Sequence, residues 1–358
     1  MGRVVMHKLL SVFKGKRVLV TGDTGFKGSW LCSWLHQLGA DVAGFALPPQ
    51  QDNDHFNLLR LDELIHHTEG DIRDLAALQR VFEKFQPEFL FHLAAQSLVR
   101  RSYEEPKLTF DTNIGGSVNV LECVRATPSL RSVIYVTSDK CYRTKEWVWG
   151  YRENDELGGR DPYSASKAAA ELVFSAYADS YFAQRGTLGI ASVRAGNVIG
   201  GGDWAADRIV PDSIKSLQQG RPILLRNPLS TRPWQHVLEP LSGYLALAGR
   251  LYSEAGGFSG AWNFGPRVES MRTVRDLADK IFACWGKGSV DVAPQQGAPH
   301  EAGLLQLNCD KAMQLLGWAP RWDFDRTVEN TAHWYRDVAG GTAARAVTSR
   351  QIEQYMGN

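Results

Sequence analysis

A short apolar run, Arg17-Val18-Leu19-Val20, breaks into T-G-D-T-G-F-K-G, and an amphipathic segment follows from Phe26 to Leu38, closed by Gly39. Strand, glycine turn and helix in that order restrict the chain to folds built on a β-α-β unit. Gly22, Gly25 and Gly28, at a G-x-x-G-x-x-G spacing, let the backbone of a turn that also holds Thr24 and Phe26 approach a pyrophosphate. The helix N-terminus adds unpaired N–H groups and a partial positive charge. An ordinary tight turn shows the same glycines, so the rest of the chain has to decide between the two.

The rest alternates. Val42–Leu47 and Ile65–Asp71 read as a second and a third strand, and Asp74 caps a helix running to Phe85. Phe89–Ala94 and Val133–Val136 are dense runs suited to central parallel strands buried on both faces. Leu108–Arg125 and Tyr163–Ala183 read as long helices. This pattern predicts an α/β fold, a Rossmann-like doubly wound parallel sheet with right-handed crossovers. After Arg194 the run Gly200-Gly201-Gly202 and Pro211, Pro222, Pro228 and Pro233 mark loop-rich chain. We expect residues 1–194 to form the dinucleotide-binding domain, with returning segments near 234–264 that include strands at Trp234–Val237 and Trp262–Phe264. Residues 195–233 and 265–330 are then a smaller, interleaved substrate-binding region, and 331–358 a peripheral tail without strong periodicity.

Composition removes other classes. The formal net charge is +1, which gives no electrostatic argument for nucleic acid or an acidic membrane. No run of about 18 apolar residues exists to span a bilayer. The opening M-G-R-V-V-M-H-K has too short an apolar run for a signal peptide, and Met6 spoils a myristoylation pattern. Cys32, Cys123, Cys141, Cys284 and Cys309 are dispersed, odd in number and without a C-x-x-C pair. They read as reduced thiols of a cytoplasmic protein, and the nine histidines lack H-E-x-x-H, so no metal is expected.

The chemistry concentrates at two places. D-P-Y-S-A-S-K sets Tyr163 and Lys167 one helical turn apart, with Asp161 as cap and Pro162 as first residue. A tyrosine base acting near neutrality needs on the order of 4 kcal/mol of help, at about 1.36 kcal/mol per pKa unit. Lys167, the helix N-terminus and a cationic nicotinamide ring are candidate sources. Thr137-Ser138-Asp139-Lys140 follow the apolar run and should emerge at the carboxyl end of a central strand, where open α/β sheets bind ligands. Ser138 can share a proton with a substrate hydroxyl, while Asp139 and Lys140 add an acid and a base that simple hydride transfer does not need. Asp71, with Ile72 beside it, suits either an adenine amino group or a plain turn. Ala94 and Ala95, ahead of Gln96, leave room for a cofactor over the sheet. The end of the second strand reads F-A-L-P-P, without the acid that usually holds the adenosine ribose, so NAD and NADP are not separated there.

At these residues the chain resembles the extended short-chain dehydrogenase/reductase family, and within it the nucleotide-sugar 4,6-dehydratases. The resemblance runs from Lys14 to Arg326. It rests on T-G-D-T-G-F-K-G-S-W-L, on T-S-D-K-C-Y, on R-A-G-N-V-I-G-G-G-D-W-A-x-D-R-I-V-P-D (Arg194 to Asp212) and on R-N-P-x-x-T-R-P-W-Q-H-V-L-E-P-L-x-G-Y-L (Arg226 to Leu245). It implies bound NAD, with Tyr163 taking the sugar 4-hydroxyl proton, Ser138 relaying or orienting, and Lys167 holding the nicotinamide ribose. Asp139 is implied as the acid at C6 and Lys140 as the base at C5. Asn197, Arg208, Arg226, Arg232 and His236 are implied as nucleotide contacts, arginine suiting a diphosphate by its planar fork. Trp204 and Trp234 are either base or sugar platforms or core. Lys27 and Lys140 set the pattern apart from dehydratases of dTDP-glucose or GDP-mannose and imply a cytidine-diphosphate sugar. A 4-epimerase would keep Ser138, Tyr163 and Lys167 without needing Asp139 and Lys140, and a non-catalytic NAD sensor has no reason to keep all three. Pairing of the two long helices across a two-fold axis, as a homodimer or homotetramer, is the implied assembly.

Overall fold

The computed structural model describes residues 9–286, 288–292 and 305–357. The reading of the first eight residues as lacking a leader, and residues 293–304 of the expected substrate-binding region, lie outside these. Seven strands form one sheet: β1 (Arg17–Thr21), β2 (Asp41–Ala46), β3 (His66–Glu69), β4 (Phe89–His92), β5 (Ser132–Val136), β6 (Gly189–Ala195) and β7 (Gly260–Phe264). Their order is β7-β6-β5-β4-β1-β2-β3, and every neighbouring pair is parallel. The chain moves outward from β1 to β3, then crosses back to place β4 on the other side of β1. That reversal opens a crevice beyond the carboxyl ends of β1 and β4, the usual ligand position in such sheets.

Alternate residues of the central strands feed two apolar layers. Val18, Val20, Phe89, Phe91 and Ile134 face one cluster, and Leu19, Leu90, Val133 and Tyr135 face the other. Both faces are covered by helices, which is why these strands read as continuous apolar runs. The covering helices used below are α1 (Phe26–Gln37), α2 (Leu75–Phe85), α3 (Ser117–Ala126), α4 (Pro162–Tyr177), α5 (Leu238–Ser253), α6 (Phe324–Ala339) and α7 (Ala344–Met356). Asp74 caps α2 by accepting from Ala77 N at 3.0 Å, and Asp161 caps α4 by accepting from Ser164 N at 2.9 Å.

Four expectations change. The helix expected over Leu108–Arg125 is an α-turn at Pro106–Phe110, a π-turn at Asp111–Gly116 and then α3. A separate helix at Val99–Glu104 was not expected. The helix expected to reach Ala183 passes into a π-turn at Ala178–Phe182. The strand expected at Trp234–Val237 is only Gln235–His236, paired with Val198–Ile199, whereas β7 joins the main sheet beside β6.

The tail is not peripheral. In α7 the residues Ala344, Val347, Thr348, Gln351, Ile352 and Tyr355 are all buried, at helical spacing. Trp34 of α1 donates through Nε1 to Met356 Sδ at 3.3 Å, and Trp334 of α6 donates to Thr348 Oγ1 at 2.9 Å. With Met356, seven positions of the helix are buried and two of them are polar, so the periodicity is hidden in a plain apolar count.

Candidate active site

The glycine turn sits at the crevice. Gly22 has φ +80°, and a Cβ there would lie 2.7 Å from the backbone nitrogen of Ala94, so the turn presses directly on the end of β4. Gly28 is helical, and its Cβ would lie 2.0 Å from the Gly22 carbonyl oxygen. Thr24 Oγ1 donates to the Leu47 carbonyl at 2.9 Å, tying the turn to the end of β2. Gly25, by contrast, is exposed, and a Cβ there would meet only Gly22 O at 3.3 Å. Its outward face and the first turn of α1, begun by Phe26, are open to an anion, so the residues present fit a dinucleotide pyrophosphate. Ala95 follows Ala94 just beyond β4.

Asp23 of the same turn is directed away from that face. It is fully buried, and its Oδ2 lies 2.6 Å from His67 Nδ1 on β3. Asp71 lies two residues beyond β3, where its carboxylate accepts from the Arg73 backbone N–H and from Arg73 Nε, each at 2.9 Å. The Arg73 hydrogen bonds hold its pKa below the ordinary carboxylate value. Ile72 is buried, its Cδ1 2.6 Å from where a Cβ on Gly116 of the π-turn would stand.

The second half of the site joins the β5 tip to α4. Ser138 caps a short turn at Asp139–Cys141, accepting from Lys140 N at 3.2 Å and donating to Asp139 Oδ1 at 3.0 Å. The Tyr163 phenol stands near enough to Ser138 for the hydroxyl to favour its ionised form. Tyr163, Ser138, Asp139 and Lys167 are all buried and Lys140 is half-buried. The sequence had brought the two stretches together only by inference; the fold does so by geometry. Between them, Asn113 of the π-turn donates to Ser166 Oγ and to the Gln96 carbonyl, each at 2.9 Å. Nothing in the local pattern marked Asn113, because a polar residue within a helical stretch reads as solvated.

Electrostatics add two residues to this constellation. Burial pushes the Tyr163 phenol up to about 12, opposed by the Ser138 hydroxyl and by the charge of Arg208. Burial pulls Lys167 down to about 8, and the neighbouring charge of Lys27 pulls the same way. Lys27 in turn is lowered to about 8 by burial and by Arg208, with Asp139 and Asp203 opposing. Lys27 thus acts electrostatically with Lys167, Asp139 and Arg208, an influence that its position as the second residue of α1 did not disclose. The cation set acting at the phenol includes Arg208, which the motif had suggested only for the nucleotide.

The remaining expected contacts separate. Arg208 is held by Asp203 at 2.8 Å beside Tyr163. Arg226 is half-buried and pairs with Asp207 at 3.0 Å, as Arg100 does at 2.9 Å. Asn197 and Arg232 are half-buried around the Val198–Ile199 and Gln235–His236 pair; Asn197 O accepts from Gln235 N at 3.2 Å. His236 is a correction. It is fully buried, with its ring centroid 5.7 Å from that of Trp30 and 4.7 Å from that of Trp322, and Nδ1 accepts from Leu238 N at 3.3 Å. Core packing accounts for its place in the motif, with Nε2 left without a hydrogen-bond partner. Trp204 and Trp234 are likewise buried, Trp204 edge-on to Tyr335 and Trp234 donating to the Arg272 carbonyl at 3.1 Å.

The glycine turn after β1 and the Ser138–Lys140 turn after β5 both lie at the carboxyl ends of central strands, and comparison with known proteins decides the lineage. The GDP-mannose 4,6 dehydratase family model matches residues 19–331. The chain belongs to this family. It is 49% identical over 349 residues to a CDP-glucose 4,6-dehydratase of Salmonella typhimurium, covering 96% of this chain and 97% of that one. Among solved structures, a dTDP-glucose 4,6-dehydratase of Streptomyces venezuelae with NAD bound superposes with TM-score 0.76 at 25% identity, over 91% of this chain and 98% of that one. An epimerase of Methanothermobacter thermautotrophicus has the same fold, with TM-score 0.80 at 24% identity over 95% of this chain and 98% of that one.

Proposed function

We propose that the protein is a CDP-glucose 4,6-dehydratase that converts CDP-glucose to CDP-4-keto-6-deoxyglucose and water with NAD as its cofactor. The observation that carries this reading is the meeting of Asp139 and Lys140 with Ser138, Tyr163 and Lys167 at one strand tip, in a chain 49% identical to an enzyme of that name. An epimerase needs the last three and leaves the first two without work.

The Gly22–Gly28 turn and Lys167 would hold NAD, which would supply a reversible hydride acceptor for C4 and donor for C6, so that no net oxidation results. The residues manage the protons. Tyr163, with Ser138 beside it, takes the proton of the 4-hydroxyl as C4 becomes a ketone. The ketone acidifies the C5 hydrogen, which Lys140 removes. Asp139 gives its proton to the C6 hydroxyl, which leaves as water. A proton returned to C5 completes the 6-deoxy sugar. The phenol stands at about 12 before ligands bind, so its ionisation relies on Ser138, on Arg208 and on further positive charge brought into the crevice.

Asn197, Arg208, Arg226 and Arg232, from the region of residues 195–233 and 265–330, are the proposed contacts to the nucleotide, with the arginines on the diphosphate. We also assign a homo-oligomer, built on the faces of α3, α4 and the turns before α3 and after α4, where Phe110, Leu172 and Tyr181 are 36%, 61% and 51% exposed; light scattering tests it. The chemistry is tested in D₂O. Turnover of CDP-glucose should place one deuterium at C5 of the product. A Lys140→Ala variant that still exchanges the C5 proton at the wild-type rate removes the base role from Lys140.

A further inference from the structure

Glu171 is the acid least expected from sequence. It sits in the middle of α4, one turn after Lys167 and two after Tyr163, on the same helix face. Such a residue normally reads as solvated, yet it is 1% exposed. Its partner Arg194, on β6, is 3% exposed. Arg194 donates to it twice, Nε to Oε1 at 2.9 Å and Nη2 to Oε2 at 2.8 Å. Ser192 Oγ donates to Oε2 at 2.8 Å, and Thr137 Oγ1 donates to Oε1.

The network continues past the pair. Arg194 Nη1 donates to the Tyr142 hydroxyl at 2.6 Å, which donates to Asn263 Oδ1 on β7 at 2.8 Å. One carboxylate thereby joins the helix carrying Tyr163 and Lys167 to Thr137, the residue before Ser138, and to the segment that follows Lys140. A buried ion pair is seldom a net source of stability relative to apolar residues of the same volume. Its four-donor, bidentate geometry does something apolar packing does not: it admits one register between helix and strand tip.

We propose that Glu171 is a positioning residue of this active site: clamped by Arg194, it sets α4 in register against the β5 tip and holds a fixed negative charge one turn from Lys167. The proposal rests on the reading of Tyr163 and Lys167 as reacting groups. Lys167 is faced by Lys27 from α1, Cys141 from the turn, His92 from β4 and Glu171 from its own helix. Lys27 and burial lower its proton affinity, and Glu171 raises it. Removing the Glu171 charge therefore makes Lys167 lose its proton at lower pH.

Two variants, Glu171→Gln and Glu171→Asp, separate position from charge. For Glu171→Gln we expect kcat on CDP-glucose to fall about ten- to a hundredfold with KM within about twofold, because misplacement of reacting groups by about 1 Å carries a cost of that order. The alkaline limb of its kcat profile moves to lower pH. The Lys167 titration midpoint, followed by the NMR shift of its side-chain carbon with Lys167→Arg as assignment control, moves the same way. Glu171→Asp keeps the charge and the midpoint, but its shorter arm cannot span Thr137 and Arg194 together, so kcat still falls. A kcat within about twofold of wild type for Glu171→Gln, or an unmoved Lys167 midpoint, overturns the proposal whatever happens to the melting temperature. A wild-type protein inactive on CDP-glucose would instead count against the proposed function, and the NMR titration would still report on the charge.

Discussion

Gly28→Ala is a sharp test of the phosphate turn. At an open helical position this change gains about 1 kcal/mol, since alanine is the better helix former. Here the new Cβ would stand 2.0 Å from the Gly22 carbonyl oxygen, 2.8 Å from the Gly22 carbonyl carbon and 2.8 Å from Asp23 Cα, all backbone atoms. Neither side is a flexible chain end that can swing away, so the first turn of α1 must withdraw from the glycine turn by about 1 Å or more to reach ordinary contact. A hydrogen bond of about 2.9 Å from that turn to a phosphate oxygen is then stretched beyond useful length. Losing about two such charge-assisted bonds, at about 1.5–3 kcal/mol each, amounts to about 3–6 kcal/mol. Calorimetric titration with NAD should therefore show affinity reduced on the order of a hundredfold or more, with a lowered melting temperature. Gly25→Ala is the milder comparison: its Cβ would stand 3.3 Å from Gly22 O, a tight contact that a shift of a few tenths of an ångström relieves, and it lies where the ligand must approach. It should weaken NAD with a smaller loss of melting temperature than Gly28→Ala. A folded Gly28→Ala protein that binds NAD within about threefold of wild type would refute the steric reasoning.

Two further outcomes test the surrounding core. Glu239 of α5 accepts from Arg321 N, Trp322 N and the Tyr355 hydroxyl, yet burial raises its pKa from 4.5 to about 7. The fold then binds more protons than the unfolded chain between those values, so stability falls as pH rises through that window, by about 3 kcal/mol at 1.36 kcal/mol per unit. Denaturant unfolding across that range should show this slope in wild type and its loss in Glu239→Gln. His236→Phe keeps an aromatic ring between Trp30 and Trp322 but leaves the Leu238 N–H without its acceptor, which costs about 1–3 kcal/mol of stability. Its KM for CDP-glucose should stay within about twofold, whereas a rise of tenfold or more would return His236 to the substrate site.

What the sequence disclosed was local. The β1–turn–α1 unit, the Asp74 and Asp161 caps and the buried central strands each follow from a few adjacent residues, and the structure places all of them. What it concealed was long-range. The burial of α7 depends on α1, some three hundred residues away, as well as on neighbouring α6, and on polar Thr348 and Gln351 at inward positions. His236 carries a motif letter that suits either a ligand contact or a core ring, and only its burial between two tryptophans separates them. Lys27 and Glu171 look like surface charges until the sheet brings Arg208, Asp139 and Arg194 to them. A charge in an amphipathic pattern says which face of a helix it occupies, not what the neighbouring element sets against that face.

The central claim is the substrate and the chemistry together, and one assay reads both. Purified protein would be incubated, with and without added NAD, separately with CDP-glucose, dTDP-glucose, UDP-glucose and GDP-mannose, and the products weighed by mass spectrometry. Loss of one water from CDP-glucose, and from none of the other three, is the expected result. Water loss from another of these sugars, or an unchanged mass throughout while NAD binds, would contradict it.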